Sequence, residues 1–361
     1  MDRFLDGFLA MGIPGYDCMV MYKGEEVYRR YNGFSDKGAQ IYMNGKERYH
    51  IFSCSKPITC AAALQLWEKG LYQLDDPLEK YMPEFADMSV RTENGIVPAR
   101  NKITIRQLFT MTAGFDYNTQ CKEICQAYDA TNGACPTREV MKYFARYPLS
   151  FEPGEKWQYS LCHDVLAAFV EVVSGEKFEE YVKKHIFEPL GMKNSTFLLP
   201  RSEQGSIAPL YRQPSDATGV VIRLDNNNAF YHSYRLGASY ASGGAGGVSS
   251  VEDYMLFLEA MRKGDVILKN ATIDMMTTPQ LTPEQNVTFW NNENYYYGLG
   301  VRCPMEGRST DSGWGGAAGA FLAFDRINDL TLYYAQSVLN SPNAAQRREV
   351  LTYAREALGL K

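Results

Sequence analysis

Residues 53–70, SCSKPITCAAALQLWEKG, carry a run of small and apolar side chains that predicts a buried helix. The apolar run extends from Ala61 to Trp67, and Gly70 is a typical stop signal. Pro57 is compatible only with the first turn of a helix, because it lacks a backbone N–H, so the helix is predicted to begin near residues 53–55. The short apolar segment 49–52 precedes it. The stretch therefore predicts a strand that runs directly into a buried helix.

Two hairpins flank this stretch at opposite ends of the chain. Residues 17–23 and 26–31 have strand character on either side of a Lys-Gly-Glu turn, and residues 320–325 and 330–338 flank a second polar turn. An isolated hairpin is at best marginally stable, because it cannot bury its apolar face alone. We therefore expect both hairpins to lie in one antiparallel sheet.

Helical spacing of apolar residues dominates the middle of the chain, as in CHDVLAAFVEVVSG (162–175) and SSVEDYMLFLEAMRKG (249–264). Amphipathic helices are also predicted at 1–12 and within 343–359. The predicted fold is α/β in the α+β sense: an antiparallel sheet built from both termini and flanked by helices, with an inserted, mainly helical domain. Residues 1–60 and 290–361 would form the sheet domain. Residues 61–289 would form the helical domain, with a long loop at 198–240, and the active site would lie between the two.

Composition narrows the possible classes of protein. The chain has 361 residues, of which 45% are hydrophobic and 22% charged, as expected for a globular protein with a sizeable core. The net charge is −5 and no basic block is present, so nucleic acid is not an expected partner. No run of about 18 apolar residues predicts a membrane span, and the first 12 residues do not resemble a signal peptide. These features favour a cytoplasmic protein with no membrane association; they leave the oligomeric state open.

The eight cysteines are too scattered for a disulfide scaffold in a chain of this length. Cys121, Cys125 and Cys135 form the spacing C-x3-C-x9-C, which lacks the C-x2-C pairs of zinc sites and has no nearby histidine. Reduced thiols are therefore expected, with no metal and no cofactor.

Among the common catalytic sequence motifs, only one pattern occurs in this chain. No serine lies in a G-x-S-x-G elbow, and neither a phosphate-binding G-x-x-x-x-G-K loop nor H-E-x-x-H occurs. The pattern S-x-x-K occurs twice. Ser174 to Lys177 follows a helix and is adjacent to a glycine, so we interpret it as a helix end. Ser53 to Lys56 lies at the predicted strand-to-helix junction.

At that junction Ser53 and Lys56 are three residues apart and share one face of the first helical turn. The helix N-terminus presents free N–H groups to an oxyanion, and its positive end together with burial disfavours a protonated lysine, so that Lys56 can accept a proton. In the alternative interpretation, Ser53 or Ser55 caps the helix and Lys56 is solvated. The four-residue motif alone favours this alternative, because the pattern is weak.

Further motifs, which follow one another along the chain in the order found in a known family, favour the catalytic interpretation of Ser53 and Lys56 instead. They are LDDPLEKYMPEF (74–85), KITIRQLFTMTAGF (102–115), PGEKWQYSLCHDVLAAFVEVVSG (153–175), GASYASGGAGGVSSVEDYMLFLEAM (237–261) and SGWGGAAGAFLAFDRINDLTLYYAQS (312–337). Together with the S-x-x-K pattern they resemble the penicillin-recognising serine hydrolases. The resembling subgroup is that of class C β-lactamases and their esterase relatives, the family VIII carboxylesterases, and the resemblance spans residues 13 to 338.

The resemblance implies a role for each matching residue. Ser53 would be the acylated nucleophile and Lys56 its partner in proton transfer. Tyr159, at the place of the family's Tyr-x-Asn tyrosine, would be the general base or its shuttle.

A second group would contact the substrate. Trp314-Gly315-Gly316 stands where β-lactamases carry Lys-Thr-Gly on a strand that lines the site. The oxyanion hole would be formed by the backbone N–H groups of Ser53 and Ala317.

Two departures from the family pattern bear on the substrate. Leu161 replaces the asparagine of Tyr-x-Asn and cannot donate a hydrogen bond to a substrate amide. Trp314 replaces the lysine of Lys-Thr-Gly, so the cation that would meet a substrate carboxylate is missing, and Arg302 or Arg308 are the candidates to replace it. The expected function is an esterase that forms an acyl-enzyme on a small-molecule ester or amide. The alternatives are a β-lactamase or D-amino-acid peptidase, and a non-catalytic penicillin-binding-like protein.

Overall fold

The computed structural model of the protein describes residues 1–216, 219–224 and 236–360. The strands in these residues are β1 (Gly15–Tyr22), β2 (Glu25–Asp36), β3 (Ile41–Tyr42), β4 (Arg48–His50), β5 (Ser89–Thr92), β6 (Gly95–Pro98), β7 (Tyr211–Arg212), β8 (Ile222–Arg223), β9 (Val248–Ser250), β10 (Tyr296–Tyr297), β11 (Arg302–Cys303), β12 (Ser312–Gly315), β13 (Phe321–Asp325), β14 (Leu330–Ala335) and β15 (Val338–Leu339).

The helices in the same residues are α1 (Asp2–Ala10), α2 (Ser55–Glu68), α3 (Ile105–Thr110), α4 (Lys122–Ala130), α5 (Thr137–Phe144), α6 (Cys162–Ser174), α7 (Phe178–Val182), α8 (Glu188–Leu190), α9 (Val251–Lys263), α10 (Asn270–Met276), α11 (Pro283–Asn286) and α12 (Glu349–Ala357).

An eight-stranded antiparallel sheet forms the centre of the molecule, in the order β10-β11-β12-β13-β14-β1-β2-β3. The N-terminal hairpin β1–β2 and the C-terminal hairpin β13–β14 are neighbours in it, because β1 pairs with β14 and Met19 lies opposite Tyr333. The first hairpin turns at Lys23 and Gly24, which both have positive φ angles, as tight turns between antiparallel strands require. The prediction of one sheet built from both ends of the chain is confirmed.

Helices cover both faces of the sheet. On one face α1 and α12 bury Leu5, Phe8 and Val350 against the sheet. On the other face Tyr254 of α9 stacks on Tyr333 of β14, with 4.4 Å between the ring centres. The hydroxyl of Tyr254 also donates to the carbonyl of Cys54, at 2.6 Å. Helix α9 therefore connects the sheet to the strand-to-helix junction that carries Ser53, and so fixes the position of that junction.

The longer helices begin and end where the sequence predicted. Ser250 caps α9 by accepting a hydrogen bond from the N–H of Asp253 at 3.2 Å. Gly175 ends α6 in the left-handed region, and Ser174 donates to the carbonyl of Val170 within the last turn. The second S-x-x-K pattern is therefore a helix end, as predicted.

Short strands form three smaller sheets; β4 lies at the strand predicted before α2, whereas β5, β6 and β9 were not foreseen. β4 pairs with β9, β5 with β6, and β7 with both β8 and β15. The hairpin of β7 and β8 lies within the predicted loop 198–240, of which residues 217, 218 and 225–235 lie outside the described residues. The domain boundaries at 60 and 290 stay a prediction; one continuous buried cluster contains Ala61 and Leu64 of α2 together with Leu322 and Tyr333 of the sheet.

Candidate active site

Ser53 lies in a single 3₁₀ turn, Phe52–Cys54, between β4 and α2. Phe52 has a φ of +46°, a left-handed conformation that costs free energy for a residue with a large side chain. Ser53 is half-buried and lines a cavity of about 820 Å³. The strained turn therefore presents the serine hydroxyl to this cavity at the N-terminus of α2.

Lys56 lies one turn further on and is fully buried. Its Nζ donates to the carbonyl of Gly244 at 2.6 Å and to the Oγ of Ser53 at 3.3 Å. It also lies 4.5 Å from the ring centre of Tyr159, close enough for a cation–π contact. The alternative in which Lys56 is a solvated residue of the first turn is wrong.

Tyr159 brings its hydroxyl into a short hydrogen bond with the Oγ of Ser53. The loop before α6 holds the tyrosine in place, because Gln158 donates its backbone N–H to the carbonyl of Met111 and Leu161 donates its own to the carbonyl of Asp116. The ring of Tyr117 stacks on that of Tyr159, at 5.3 Å and nearly parallel. The structure thus brings Ser53, Lys56 and Tyr159 together, as the resemblance implied.

Trp314-Gly315-Gly316 lies at the end of β12 and lines the same cavity. A Cβ atom on Gly316 would lie 2.4 Å from the carbonyl oxygen of Ile51, so only glycine lets this strand approach the turn that carries Ser53. Ala317 follows, exposed at the cavity wall. That the N–H groups of Ala317 and Ser53 together form an oxyanion hole stays a prediction. The close approach of β12 to the turn of Ser53 supports it.

Leu161 is placed differently from the other candidate residues. Its side chain is 2% exposed, belongs to the apolar core around α6, and is absent from the cavity lining. In this structure a ligand in the cavity would not touch it.

Aromatic rings form one wall of the cavity. Trp290, 59% exposed, lies 4.9 Å from the ring of Tyr159 and 6.0 Å from that of Trp314. Trp157 supports Trp290 from behind at 4.8 Å. This wall offers a large apolar surface next to the serine hydroxyl, which favours an apolar group on the substrate.

Arginines form another part of the lining. Arg302 is buried and bound to Asp311 at 2.8 Å, so it cannot replace the missing lysine as a free cation. Arg308 lines the cavity and makes no ion pair with any described residue. Arg347 also lines it, and burial lowers the pKa of its guanidinium. Of the two substitutes that the sequence suggested, Arg308 is the one that remains available.

The glycine-rich segment 243–247 belongs to a motif quoted in the sequence analysis, but no role was assigned to it there; in the structure it packs against α2. Ser55 accepts a hydrogen bond from the N–H of Gly247 at 2.9 Å, and Thr59 donates to the carbonyl of Gly243 at 2.7 Å. A Cβ on Gly243 would lie 2.3 Å from the carbonyl oxygen of His163. The signal was present as the run GGAGG, because consecutive glycines indicate a close approach of backbones.

Sequence reasoning also missed Asp164, a fully buried carboxylate in the first turn of α6. The signal was a carboxylate directly before the apolar run VLAAFV (165–170). Buried ionisable groups beside an active site are candidates for a part in its chemistry.

The described residues contain no group of three or more His, Cys, Asp or Glu side chains placed to hold a metal ion. All eight cysteines are free, including Cys121 and Cys135, which are buried, and Cys125, which is exposed. No described helix combines the length and the apolar character that crossing a membrane requires.

Comparison with known proteins places the chain in a family. A family model described as "Beta-lactamase" matches residues 1–357. Esterase EstB of Burkholderia gladioli is 30% identical over 282 residues, which cover 73% of this chain and 69% of the esterase. A putative D-alanyl-D-alanine carboxypeptidase of Escherichia coli K12 is 28% identical over 381 residues, which cover 95% and 83% of the two chains.

Among solved structures, unliganded simvastatin synthase (LovD) of Aspergillus terreus superposes with a TM-score of 0.80 at 23% identity, covering 98% of this chain and 97% of its own. The fold is therefore shared over nearly the whole length. Since the family model also spans almost every residue, the chain belongs to the β-lactamase family, whose relatives include esterases and penicillin-binding proteins.

Proposed function

We propose that the protein is a serine hydrolase that cleaves small-molecule carboxylic esters through an acyl-enzyme, with Ser53 as the nucleophile. The observation that carries this proposal is the convergence of three groups. The Oγ of Ser53 is hydrogen-bonded to Tyr159 and to the Nζ of Lys56, at the floor of an open cavity. A nucleophile within hydrogen-bond reach of proton-transfer groups is the arrangement that acyl transfer needs.

The first half-reaction follows from these contacts. The Oγ of Ser53 attacks the carbonyl carbon of the ester, and its proton passes along the existing hydrogen bond to the oxygen of Tyr159, which enters the step as the phenolate, while Lys56 donates to the Oγ of Ser53. The carbonyl oxygen becomes an oxyanion, which the N–H groups of Ser53 and Ala317 would stabilise. The bond to the alcohol then breaks, and the alkoxide takes up the proton from Tyr159.

The second half-reaction repeats these steps with water. Tyr159 takes a proton from a water molecule, whose oxygen attacks the acyl carbon. The bond to the Oγ of Ser53 then breaks and the serine regains its proton. One ester and one water give one acid and one alcohol, and no cofactor is consumed.

The residues that line the cavity favour esters over β-lactams. A β-lactam or a peptide C-terminus carries a carboxylate, and at the family's lysine position this chain has Trp314, with one neutral N–H donor. Losing a charge-assisted contact removes roughly 1.5–3 kcal/mol of binding free energy. The aromatic wall of Trp290 and Trp314 instead suits an apolar acyl or alcohol group. The relative named esterase EstB supports the same reaction class.

One observation supports a second candidate function. Arg308 and Arg347 line the cavity without a carboxylate partner among the described residues, so they could meet a substrate carboxylate. This favours a D-amino-acid peptidase or β-lactamase, and the carboxypeptidase relative carries a matching name. A non-catalytic binding protein is disfavoured, because Ser53, Lys56 and Tyr159 are all present and in contact.

A substrate panel tests the proposal. We expect kcat/KM for a short-chain p-nitrophenyl ester to exceed that for a chromogenic cephalosporin and for a D-alanyl peptide by at least about tenfold, the value of one charged contact. The Ser53→Ala variant serves as the control for each substrate. Cephalosporin or peptide turnover that equals or exceeds ester turnover, and that Ser53→Ala abolishes, would establish the second candidate instead.

A further inference from the structure

Asp164 is a buried carboxylate for which the mechanism above has no role. Its Oδ1 accepts hydrogen bonds from Tyr240 at 2.9 Å and from Ser242 at 2.6 Å. Its Oδ2 is buried, receives no hydrogen bond from a side chain, and has the backbone of Gly244 as its nearest polar neighbour. A buried charge without a counter-charge is costly, so this oxygen calls for a positive group nearby.

Lys56 is that group, and Gly244 lies between the two. The carbonyl of Gly244 accepts from the Nζ of Lys56 at 2.6 Å. A Cβ atom on Gly244 would lie 2.5 Å from the Oδ2 of Asp164 and 3.4 Å from the Nζ of Lys56. The carboxylate and the ammonium therefore approach each other across a position that only glycine leaves free.

The ionisable groups around Asp164 and Lys56 offer Lys56 no second carboxylate and Asp164 no second cation. Burial raises the pKa of Cys54 and Cys162 to about 12, and burial together with Lys56 lowers the pKa of His163 to about 3, so all three are neutral near pH 7. The ionisable side chains that face the pair are Cys54, Cys60, Tyr117, Tyr159, Cys162, His163 and Tyr240. None of them is a carboxylate.

The coupling between the two charges runs in both directions. Burial raises the pKa of Asp164, while hydrogen bonding from Ser242 and the charge of Lys56 oppose that rise. The ionised form of Asp164 thus depends on a positive charge at Lys56, and by reciprocity a charged Lys56 is stabilised by Asp164.

We propose that Asp164 is a positioning residue for the reaction at Ser53: its carboxylate holds Lys56 as an ammonium and fixes its direction towards the serine hydroxyl. An ammonium that donates to the Oγ of Ser53 makes the serine proton easier to remove. This inference rests on the proposed function, because it assumes that Ser53 is the nucleophile.

The test measures how the rate of Ser53 labelling by a fluorophosphonate depends on pH, in the wild type and in Asp164→Asn. The asparagine keeps the shape and an oxygen that accepts from Tyr240 and Ser242, while the negative charge is removed. Because this charge no longer acts on the groups around Ser53, we expect the pH profile of labelling to move to lower pH by about one unit or more.

The matched control is Glu171→Gln on the same helix. Glu171 is also a partly buried carboxylate that accepts backbone N–H groups, from Phe178 and Arg138, and burial raises its pKa. It lies at the far end of α6 from Lys56. We expect a loss of thermal stability in this variant with no shift of the labelling profile, which separates a charge effect from a general disturbance of the helix.

If Asp164→Asn does not fold, Tyr240→Phe replaces it, because it removes one donor from the same carboxylate and should shift the profile in the same direction by a smaller amount. An unshifted profile, a shift to higher pH, or an equal shift in Glu171→Gln would overturn the role of Asp164. A wild type that is not labelled, or labelling that survives Ser53→Ala, would overturn the proposed function itself.

Discussion

The hydroxyl groups of Ser53 and Tyr159 are hydrogen-bonded although 106 residues separate them in the sequence. Ser53 is held by a strained turn, and Tyr159 by a loop whose backbone is bonded to residues 111–116. Both supports are rigid parts of the fold, so the hydrogen bond is set by the scaffold before any substrate binds.

The two S-x-x-K serines should behave differently on substitution. Ser53→Ala should lower ester turnover by about a thousandfold or more, because it removes the attacking oxygen. Ser174→Ala should keep near-normal turnover, because its hydroxyl bonds only backbone groups at a helix end, the carbonyls of Val170 and Glu176 and the N–H of Glu176. Intact-mass spectrometry after an acylating inhibitor checks both. An adduct that persists in Ser53→Ala would contradict the assignment.

Removing the hydroxyl of Tyr159 should slow the reaction without unfolding the protein. Tyr159→Phe should lower kcat by about 10²–10⁴, the usual contribution of a general acid–base group. The ring remains to stack on Tyr117, so the melting temperature should change little. Tyr117→Phe is the matched control, since it removes a neighbouring hydroxyl that does not bond Ser53. An unchanged rate in Tyr159→Phe on both an activated and an alkyl ester would exclude Tyr159 as the proton carrier.

Gly316 should tolerate no side chain. Gly316→Ala would place a methyl group 2.4 Å from the carbonyl oxygen of Ile51 and push β12 away from the turn of Ser53. A displacement of this kind should lower kcat/KM by about 10–100-fold. Gly7→Ala in α1, where a Cβ meets nothing within 4 Å, should leave turnover unchanged. Equal turnover in both variants would mean that the approach of β12 does not matter for catalysis.

Trp290 should determine how well apolar esters bind. Its ring is 59% exposed over the cavity and is held by Trp157 and Tyr159. Trp290→Ala should lower kcat/KM for aryl and long-chain esters by about 2–10-fold, the value of an aromatic contact, and leave acetate esters nearly unaffected. Trp290→Phe should retain most of the preference. A uniform loss across all chain lengths would point to a structural effect on Tyr159 instead.

Asp6 should link stability to pH. Its hydrogen bonds with Arg30, then with Tyr16 and Asn32, lower the pKa of Asp6 to about 2 against opposing burial. The pKa of an aspartate in the unfolded chain is about 3.9. The stabilisation by Asp6 is therefore complete above that pH and is lost as the pH falls towards 2. Urea denaturation should therefore show Asp6→Asn less stable than the wild type at neutral pH, with the difference shrinking below about pH 4. The exposed Asp2, as Asp2→Asn, should show a smaller difference.

The hairpins, the long capped helices and the cluster of Ser53, Lys56 and Tyr159 could all be predicted, because each has a local signal or a motif in register. Strands β10 and β11, of two residues each, have no such signal, since two residues show no alternation. The partners of Asp164 were out of reach for another reason: Tyr240 and Ser242 are more than 70 residues away, and only the fold brings them together.

The side chain of Leu161 is another feature that the sequence alone could not predict. A motif places a residue by its position in the chain, next to Tyr159, but the start of α6 turns this side chain into the core. Backbone direction at a helix start depends on packing against neighbouring elements, which a linear pattern does not contain.

The pairing of β1 with β14 has a consequence for how the molecule is made. The first hairpin is synthesised about 300 residues before β14, so one edge of β1, Asp17 to Tyr22, finds its partner only when residues 330–335 have been made. Until then an apolar strand edge is open to pairing with other chains, and a contact between two interior strands of the sheet cannot form. We therefore expect nascent chains that stop before β14 to aggregate or to occupy chaperones, and folding to be completed only after the last strand has emerged.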